Sequence, residues 1–447
     1  MKNLKDRVGL MNYYKGNVER LDNWEKLKLK DVCSRIFSGG TPNTNKIEYW
    51  NGSLPWLSSG ETRNRLISKT ENKITELGVT NSSTRLAKAG SSVIASAGQG
   101  HTRGQVSYLL IDTYINQSVI ALFPRDEKLD SKFLFYSLNI KYERLRQISD
   151  DHSIRGSLTT KLLGEELIDV PPIQEQKAIA KILSDLDAKI ELNQKMNKIL
   201  EAISQAIFKH WFIDFEFPNE NGKPYKSSGG EMVDSELGEI PKGWEVKRLG
   251  DVLNVVRGVS YKSSQLVPSK NALVTLKSIL KGGGFTKNGF KPYSGDYKAS
   301  QLVNAQDIII AFTDLTQQGE VIGRPAMVED TVEYKNMIAS MDVGVIKSKE
   351  NFQFKFFIYQ LMKTESFHSH LLGYVNGTTV LHLSNEGPKS YIFSCPDMGH
   401  LIQFENLLLF FYNKIHYNTK QIEFLSLVRD LLLPKLISGK IRVPLEE

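Results

Sequence analysis

Residues 24–32 read WEKLKLKDV, and residues 244–252 read WEVKRLGDV. The same stretch therefore occurs twice, 220 positions apart. The repetition continues beyond it, because FLFYSL at 133–138 returns as FFIYQL at 356–361, and DAKIELNQK at 187–195 is matched by YNKIHYNTK at 412–420. A chain built from two similar halves is expected to have two similar sites related by a pseudo-two-fold axis.

The composition indicates a multidomain protein that favours a polyanionic partner. The chain has 447 residues, 40% of them hydrophobic, and a net charge of +7. These values predict more than one packed domain and a mild preference for nucleic acid. The two cysteines, Cys33 and Cys395, predict neither a disulfide framework nor a zinc cluster, as is typical of a reducing cytosol. Because neither a signal peptide nor a run of 18 apolar residues is found, we expect a cytoplasmic protein.

Each half reads as a mixed α/β globule followed by one long helix. Short β-branched runs at 92–95 and 118–123 predict strands in the first half, and those at 307–312 and 341–346 predict strands in the second. Segments rich in Phe, Tyr and Leu near 132–147 and 353–372 have helical spacing. The predicted fold class is therefore mixed α/β, with two pseudo-symmetric globules.

The long helices give the clearest pattern. The stretch from Ile173 to His210 contains no Pro and no Gly, and apolar residues recur in it with heptad spacing. The same seam recurs 225 positions later, which predicts that the two helices pair as an antiparallel coiled coil. A helix of about 38 residues would be about 57 Å long and could act as a spacer that sets the distance between two sites.

Two asparagines occupy equivalent positions near the middle of the predicted seam. Asn193 on the first helix and Asn418 on the second are predicted to fix the register of the pair, because slippage would place an amide against leucine. The alternative is that both are solvated positions in an imperfect seam.

The predicted boundaries follow from these elements. The first globule spans 1–171, the first spacer helix 172–212 and an exposed, turn-rich linker 213–243. The second globule spans 244–395, the second spacer helix 396–434 and a C-terminal tail 435–447.

No motif predicts a catalytic, cofactor or metal site in this chain. Glu175 and Lys177 have a nuclease-like spacing but open a helix, and the glycine turns at 98–100 and 281–284 lack a following P-loop lysine. His368 and His370 have no third ligand nearby in the sequence. A duplicated binding protein is therefore favoured over an enzyme.

Several passages resemble the specificity (S) subunit of type I DNA restriction–modification enzymes. They are VPPIQEQ at 170–176, MVDSELGEIPKGWEV at 232–246, LLPKLISGKIRV at 432–443, and SGGTP at 38–42 followed by Tyr49 and Trp50. Together they extend the resemblance from about Leu21 to Val443. The second helix start, CPDMGH at 395–400, departs from the Pro-Pro and Glu-Gln pattern of the first.

The resemblance implies a non-catalytic subunit with two target-recognition domains. Each would read one half of a bipartite double-stranded DNA sequence. The paired helices would dock two adenine-methyltransferase (M) subunits and, through them, endonuclease/translocase (R) subunits. Pro172, Glu175 and Gln176 would belong to this docking region. S-adenosylmethionine, ATP and Mg would bind to the partner subunits and not to this chain.

Bases are read by side chains on loops that reach a groove, and phosphates by Lys and Arg. The predicted DNA-binding residues of the first half are Arg63, Arg65, Arg85, Gln99, His101, Thr102, Arg103 and Arg155. Those of the second half are Thr313, Gln317, Gln318, Asn376 and Thr378, with Lys277, Lys281, Lys287 and Arg324 for phosphates. For each of them the alternative is an ordinary solvated residue.

Three other functions stay open at this point. The chain could serve a methylation-only complex without an endonuclease, or it could be a coiled-coil scaffold whose globules bind protein. A stand-alone nuclease ranks last, because no metal site is visible in the sequence.

Overall fold

The computed structural model describes residues 23–98, 102–151, 157–316 and 318–444. The chain divides into two compact units, each of which contains one copy of the repeat. Unit 1 comprises residues 1–192 and 421–447, and unit 2 comprises residues 193–420. Both boundaries fall inside long helices, so each unit takes part of both helices.

The strands of unit 1 form three sheets. They are β1 (Glu25–Lys28), β2 (Cys33–Ser38), β3 (Trp50–Leu57), β4 (Leu66–Ile67), β5 (Asn72–Ile74), β6 (Arg85–Ala87), β7 (Ser92–Ala95), β8 (Val106–Leu109), β9 (Thr113–Ile115), β10 (Val119–Pro124) and β11 (Leu167–Val170). The sheet orders are β1-β11, β2-β10-β7-β8-β4 and β5-β3-β9-β6. Strand β7 is fully buried, which is why it reads as a nearly continuous apolar run.

The helices of unit 1 pack against these sheets. They are α1 (Leu29–Val32), α2 (Glu76–Thr80), α3 (Ser131–Asn139), α4 (Tyr142–Asp151), α5 (Thr160–Gly164) and the first part of α6 (Ile173–Phe208), with 3-10 turns at Ile47–Tyr49 and Ser59–Arg63. Helix α3 begins after Asp130, whose side chain accepts hydrogen bonds from the amides of Lys132 and Phe133.

The strands of unit 2 repeat this plan. They are β12 (Met232–Ser235), β13 (Gly238–Pro241), β14 (Glu245–Arg248), β15 (Leu253–Arg257), β16 (Asn271–Val274), β17 (Phe290–Pro292), β18 (Leu302–Val303), β19 (Ile308–Ala311), β20 (Thr313–Asp314), β21 (Pro325–Met327), β22 (Asn336–Ala339), β23 (Val343–Ser348), β24 (Val375–Asn376), β25 (Leu381–Leu383) and β26 (Ile392–Cys395). The sheet orders are β12-β13, β14-β26, β15-β23-β19-β21, β17-β16-β22-β18 and β20-β25-β24.

The helices of unit 2 are also equivalent to those of unit 1. They are α7 (Leu249–Val252), α8 (Lys355–Met362), α9 (Glu365–Leu372), α10 (Glu386–Ser390) and most of α11 (Met398–Ile437), with 3-10 turns at Ser263–Gln265, Leu276–Ser278, Lys287–Gly289 and Ala299–Gln301. A π-helical turn, Lys209–Ile213, continues α6.

The two larger sheets of each unit share their strand order, except that unit 1 has the additional edge strand β4. Strands β3 and β9 pair in parallel in unit 1, and β16 and β22 pair in parallel at the equivalent place in unit 2. The pair β1-β11 likewise corresponds to β14-β26. Unit 2 adds the small sheet β20-β25-β24, for which the described part of unit 1 has no equivalent. The predicted mixed α/β class is confirmed, and so are the predicted strands at 92–95 and 307–312.

Helices α6 and α11 run antiparallel. In unit 1, Asp187 contacts Arg429, and Glu175 near the start of α6 contacts Arg442 beyond the end of α11. In unit 2, Asn197 contacts Asn418, and Phe208 near the end of α6 contacts Phe404 near the start of α11. Residues further along one helix thus meet residues further back on the other, as the sequence predicted.

Both predicted register asparagines, Asn193 and Asn418, are buried. Asn418 donates from its amide to Asn197 Oδ1 at 2.9 Å, and Asn197 donates to Thr419 Oγ1 at 3.2 Å. Asn197 lies one helical turn beyond Asn193 on α6. This polar contact in unit 2 therefore uses an asparagine that was not among the predicted register residues. The register role of Asn193, which is also buried, stays a prediction.

The segment 213–243, predicted as an exposed linker, is exposed over most of its length, but its aromatic residues are folded against unit 2. Phe217 is buried and stacks on Trp244 at 5.0 Å, and Tyr225 stacks on Phe217 at 4.5 Å. Strands β12 and β13 form a hairpin in the same segment. Its many Gly, Asn and Ser residues hid these aromatic anchors from a reading based on composition.

The second spacer helix is longer than predicted. Helix α11 begins at Met398 instead of residue 396 and extends past Pro434 to Ile437. Leu433, Leu436 and Ile437 are buried in the core of unit 1, so packing supports the last turn despite the proline. Within the described residues, no helix is long and apolar enough to cross a membrane.

Candidate nucleic-acid interface

Three loop segments lie at equivalent positions in the two units. The first loop segment follows β3 or β16 and comprises residues 58–71 in unit 1 and 275–289 in unit 2. The second joins antiparallel strands, β7 to β8 or β19 to β21, and its described residues are 96–98 and 102–105 in unit 1 and 312–316 and 318–324 in unit 2. The third precedes α5 in unit 1 and lies between α9 and α10 in unit 2, and its described residues are 157–159 and 373–385. Among the described residues, every predicted DNA-binding residue except Arg85 lies on one of these segments.

The three loop segments of unit 2 are in contact with one another. Gly282 N of the first segment donates to Glu320 O of the second at 3.0 Å, and Lys281 Nζ lies 2.5 Å from the Glu320 carboxylate. Thr313 of the second segment and Asn376 of the third both pair with His382 across the sheet β20-β25-β24. The segments therefore form one continuous surface.

The loop segments of unit 1 are similarly connected. Leu158 N of the third segment donates to Ser96 O of the second at 2.8 Å. Ser107, just past the second segment, donates through Oγ to Thr62 O and Asn64 O of the first. The same three-part surface therefore occurs once in each unit.

In unit 1, the predicted arginines differ in how far their head groups are engaged. Arg63 is exposed and pairs with Glu71 at 2.7 Å, while Arg85 is exposed on β6. Arg65 instead donates to Asn139 Oδ1 at 3.0 Å and to Asp187 Oδ2 at 3.3 Å. Arg103 is buried and pairs with Asp150. The structure thus uses Arg65 and Arg103 for internal contacts, which the sequence could not show because both partners are distant along the chain.

The remaining predictions in unit 1 are partly outside the described residues. Thr102 is half-buried at the edge of the second loop segment. Gln99, His101 and Arg155 lie outside the residues that the structure describes.

In unit 2, several predicted residues are exposed on the common surface. They are Lys277, Lys281, Gln318, Asn376 and Thr378, with Lys287 half-buried beside them. Thr313 is buried. Arg324 forms a bidentate ion pair with Glu365, in which Nη1 and Nη2 donate to the two carboxylate oxygens at 2.9 and 3.2 Å. These two therefore support the surface from inside, and Gln317 lies outside the described residues.

Buried carboxylates organise the loop segments, and sequence reasoning missed both of them. In unit 1, Glu61 accepts hydrogen bonds from the amides of Ser58 at 3.0 Å and Glu71 at 2.8 Å, which closes the first segment. In unit 2, Asp314 accepts from the amides of Thr316, Val321 and Ile322 within the second segment. A Ser-x-x-Glu capping box at 58–61 was a signal that could have found the first. Asp314 has no such local motif.

The charge state of Asp314 follows from this geometry. Burial alone would raise its pKa, but the hydrogen bonds from the three amides outweigh burial and hold the pKa below its usual value. Burial, together with the charge of Arg324, lowers the pKa of His368, which contacts Gly319 O at 3.3 Å. At neutral pH the loop is thus held by an ionised carboxylate and a neutral imidazole.

His382 is a further candidate contact that the sequence did not single out. It is exposed in β25, between Thr313 and Asn376 in the sheet register. A lone histidine between leucines carries no motif, so only the strand pairing brings it to this surface.

The predicted docking residues have internal partners. Pro172 is exposed, but Glu175 accepts from Arg442 Nε at 2.7 Å and from Trp24 Nε1 at 3.2 Å. Gln176 donates to Pro171 O and Lys128 O and accepts from the amide of Asp130. These side chains connect the start of α6 to the rest of unit 1, and their role in docking a partner stays a prediction.

In the described part of the chain, no three His, Cys, Asp or Glu side chains are grouped so that they could hold a metal ion. Cys33, the first residue of β2, and Cys395, the last residue of β26, are buried free thiols. Burial raises the pKa of Cys33 to about 12 and that of Cys395 to about 11, so neither is a reactive thiolate.

Comparisons with known proteins agree with this duplicated architecture. A family model described as type I restriction modification DNA specificity domain matches residues 21–202 and again residues 241–422. The MjaIX type I restriction enzyme specificity subunit of Methanocaldococcus jannaschii is 32% identical over 438 residues, which cover 94% of each chain. The EcoR124I/EcoR124II specificity subunit of Escherichia coli is 31% identical over 203 residues, 42% of this chain and 48% of that protein.

The fold is also similar to a solved structure. The crystal structure of a type I restriction–modification S subunit from M. genitalium superposes with a TM-score of 0.56 at 15% identity, covering 94% of this chain and 97% of that one. The chain belongs to the family of type I restriction–modification DNA specificity subunits, which are non-catalytic components of their enzymes.

Proposed function

We propose that this chain selects the DNA target of a type I restriction–modification enzyme by reading a bipartite sequence, one half-site per unit. The observation that carries this proposal is the recurrence of the three loop segments at equivalent positions in both units, with different side chains on them. The shared sheets would present each half-site in the same way. The divergent loops would make the two half-sites different in sequence.

In unit 2 we expect the exposed lysines to bind phosphates and the exposed amide side chains to read bases. Lys277 and Lys281 are suited to phosphates, because an ammonium group is a compact charge on a flexible stem. Gln318 and Asn376 carry amides, which can donate and accept hydrogen bonds at a base edge. Replacing a phosphate-binding lysine should weaken all DNA sequences alike, whereas replacing a base-reading amide should relax one position.

The long helices supply a second kind of surface. Asp187, Glu201 and Tyr412 each directly follow an apolar residue of the heptad pattern, and each contacts the globule of its own unit. Some residues that directly precede a position of the heptad pattern are both apolar and exposed, namely Leu192 and Phe424 in unit 1 and Ile199 and Phe410 in unit 2. Phe424 is 64% exposed and Phe410 is 69% exposed. Apolar rows of this kind are typical of protein-binding surfaces.

We propose that each unit docks one methyltransferase subunit on its own apolar row, and that the endonuclease subunits join through the methyltransferase. Two equivalent rows fit two copies of the same partner. S-adenosylmethionine, ATP and Mg would be used by those partners. We place the complex in the cytoplasm, where its DNA target and its partners would be accessible.

The function is tested by producing the full chain with its methyltransferase partner and mapping methylated adenines on DNA by sequencing. The expected result is one bipartite motif with a methylated adenine in each half-site. A methylated motif that is continuous, or the absence of any motif, would contradict the proposal. Salt-dependent binding of the complex to duplex DNA would exclude the scaffold alternative.

Docking is tested with Phe424→Lys in unit 1 and Phe410→Lys in unit 2. Each should weaken binding of the methyltransferase by at least about 10-fold at one site, because burying an unpaired ammonium group is unfavourable. Asn413→Lys, at an exposed polar position of α11, is the matched control and should bind normally. Normal binding by both phenylalanine variants would refute the docking surface.

A further inference from the structure

The second loop segment of unit 2 is built around one buried carboxylate. Asp314 is 1% exposed, and its Oδ1 accepts from Thr316 N at 2.6 Å. Its Oδ2 accepts from Val321 N at 2.7 Å and Ile322 N at 2.9 Å. One side chain thus ties the beginning of the loop to its end, and charge-assisted bonds to amides are among the stronger hydrogen bonds.

Other contacts attach the same loop to α9. His368 contacts Gly319 O, and Arg324 at the loop's end pairs with Glu365. Gly323 has φ +69°, and a Cβ there would lie 2.5 Å from Leu371 Cδ1. The loop therefore fits closely against the helix in one conformation.

The outward side of this loop carries the groups suited to DNA. Leu315 and Gln318 are exposed at its tip, and Lys281 of the first segment lies beside it through Glu320. The buried anchors and the exposed tip are thus on opposite sides of a short loop. A side chain that reads a base edge has to be held to within a fraction of an ångström to discriminate between bases.

We infer that Asp314 is a positioning residue that sets the base preference of unit 2 by holding the second loop segment in its reading conformation. This inference rests on the proposed function, since it assumes that the loop reads DNA. Asp314 does not itself touch DNA, because its carboxylate is buried and occupied by backbone amides.

Unit 1 offers an internal comparison. Gly104 N donates to Ala95 O in unit 1 as Gly323 N donates to Ala311 O in unit 2, so the two loops align at these residues. Three residues after the aligned alanine, unit 1 has Gly98 where unit 2 has Asp314. Loss of this carboxylate should therefore affect only the half-site that unit 2 reads.

The test is Asp314→Asn in the full chain, produced with its methyltransferase partner. An amide has one acceptor oxygen, so at least one of the three loop N–H groups would face an NH2 group instead. We expect loss of amide hydrogen-exchange protection at residues 316, 321 and 322. In the map of methylated adenines, discrimination at one or two positions of one half-site should fall by about 10-fold, the loss of one good base contact. The other half-site should be unchanged.

Glu350→Gln, which removes an exposed carboxylate of unit 2, is the matched control and should leave both half-sites unchanged. His368→Ala, which removes the contact to Gly319 O, should relax the same half-site and serves as the second variant if Asp314→Asn accumulates poorly.

An unchanged base preference in both variants, or equal losses at both half-sites, would overturn the inference. A wild-type complex without a bipartite motif would instead overturn the proposed function itself.

Discussion

In each unit, one buried side chain of a long helix contacts the globule, and we call this contact the joint. The two joints occupy equivalent positions but use different kinds of side chain. In unit 1, Asp187 on α6 is buried and accepts from Arg429 at 2.8 Å, from Tyr136 Oη at 2.8 Å and from Arg65 at 3.3 Å. In unit 2, the residue 225 positions later is Tyr412. It stacks on Phe356 at 4.8 Å with an interplanar angle of 10° and accepts from Gln360 Nε2 at 3.0 Å.

The difference shows that the same arrangement of globule and helix accommodates either a charged or an aromatic joint. A buried ion network is directional, and it leaves uncompensated charges when one member is lost. An aromatic joint is stabilised by buried apolar area and ring stacking, and it leaves no unpaired charge when one ring is lost. The joint of unit 1 also includes Arg65, so a side-chain contact connects the first loop segment directly to the helix.

The largest effect is expected from Asp187→Ala. It leaves the half-buried head groups of Arg429 and Arg65 without their shared, buried carboxylate, and it should lower the free energy of unfolding by about 3 kcal/mol. Urea unfolding followed by circular dichroism measures this. Asp185→Ala, which removes an exposed carboxylate two residues earlier that pairs with Lys181, should change stability little. If the two variants lowered the free energy of unfolding equally, the stabilising role of the Asp187 ion network would be refuted.

A smaller effect is expected from Tyr412→Phe in unit 2. The ring stack is retained, and only the hydrogen bond from the buried Gln360 is lost, so the free energy of unfolding should fall by about 1–2 kcal/mol. The same unfolding experiment applies, with the two variants compared side by side. A loss as large as that of Asp187→Ala would mean that the aromatic joint also depends on its polar contact.

The smallest effect is a pH dependence in unit 2. Glu405 on α11 accepts from the amides of Phe356 and Phe357 at the start of α8, and burial raises its pKa despite these hydrogen bonds. The folded state therefore holds a proton that the unfolded state releases near its usual pKa of about 4.5, so stability should fall as pH rises through the window above 4.5. Unfolding at pH 4.5, 6.0 and 7.5 measures it.

Glu405→Gln should remove this pH dependence, because the amide does not titrate, and Glu350→Gln should keep it. A pH profile that is the same in wild type and Glu405→Gln would assign the dependence to another group.

Much of the fold could be predicted because its helices and strands follow from the regular spacing of apolar residues along the chain. The Pro- and Gly-free stretch from Ile173, with its heptad pattern from Ile179, predicted α6 and its antiparallel pairing, and the apolar run at 92–95 predicted β7. The anchoring of the linker was missed because Phe217 and Tyr225 are isolated aromatics in a polar segment. Their stacking on Trp244 and on each other depends on tertiary contacts.

The candidate interface was predictable in position but not in the roles of its residues. Glycine and polar residues marked the loop segments, as they mark loops generally. Which side chains face outward depended on distant partners: Asp187 for Arg65, Asp150 for Arg103 and Glu365 for Arg324. An arginine in a loop has the same sequence signature whether it is exposed or paired.

The sequence by itself determined the duplication, the mixed α/β class, the helix pair and the family resemblance, because repeats and periodic patterns are properties of neighbouring residues. Only the tertiary structure decided that Asn197 is the partner of Asn418, that Asp314 and Glu61 hold the loops, and that one joint is ionic and the other aromatic. These depend on side chains that are far apart along the chain and meet only after the sheets and helices have packed.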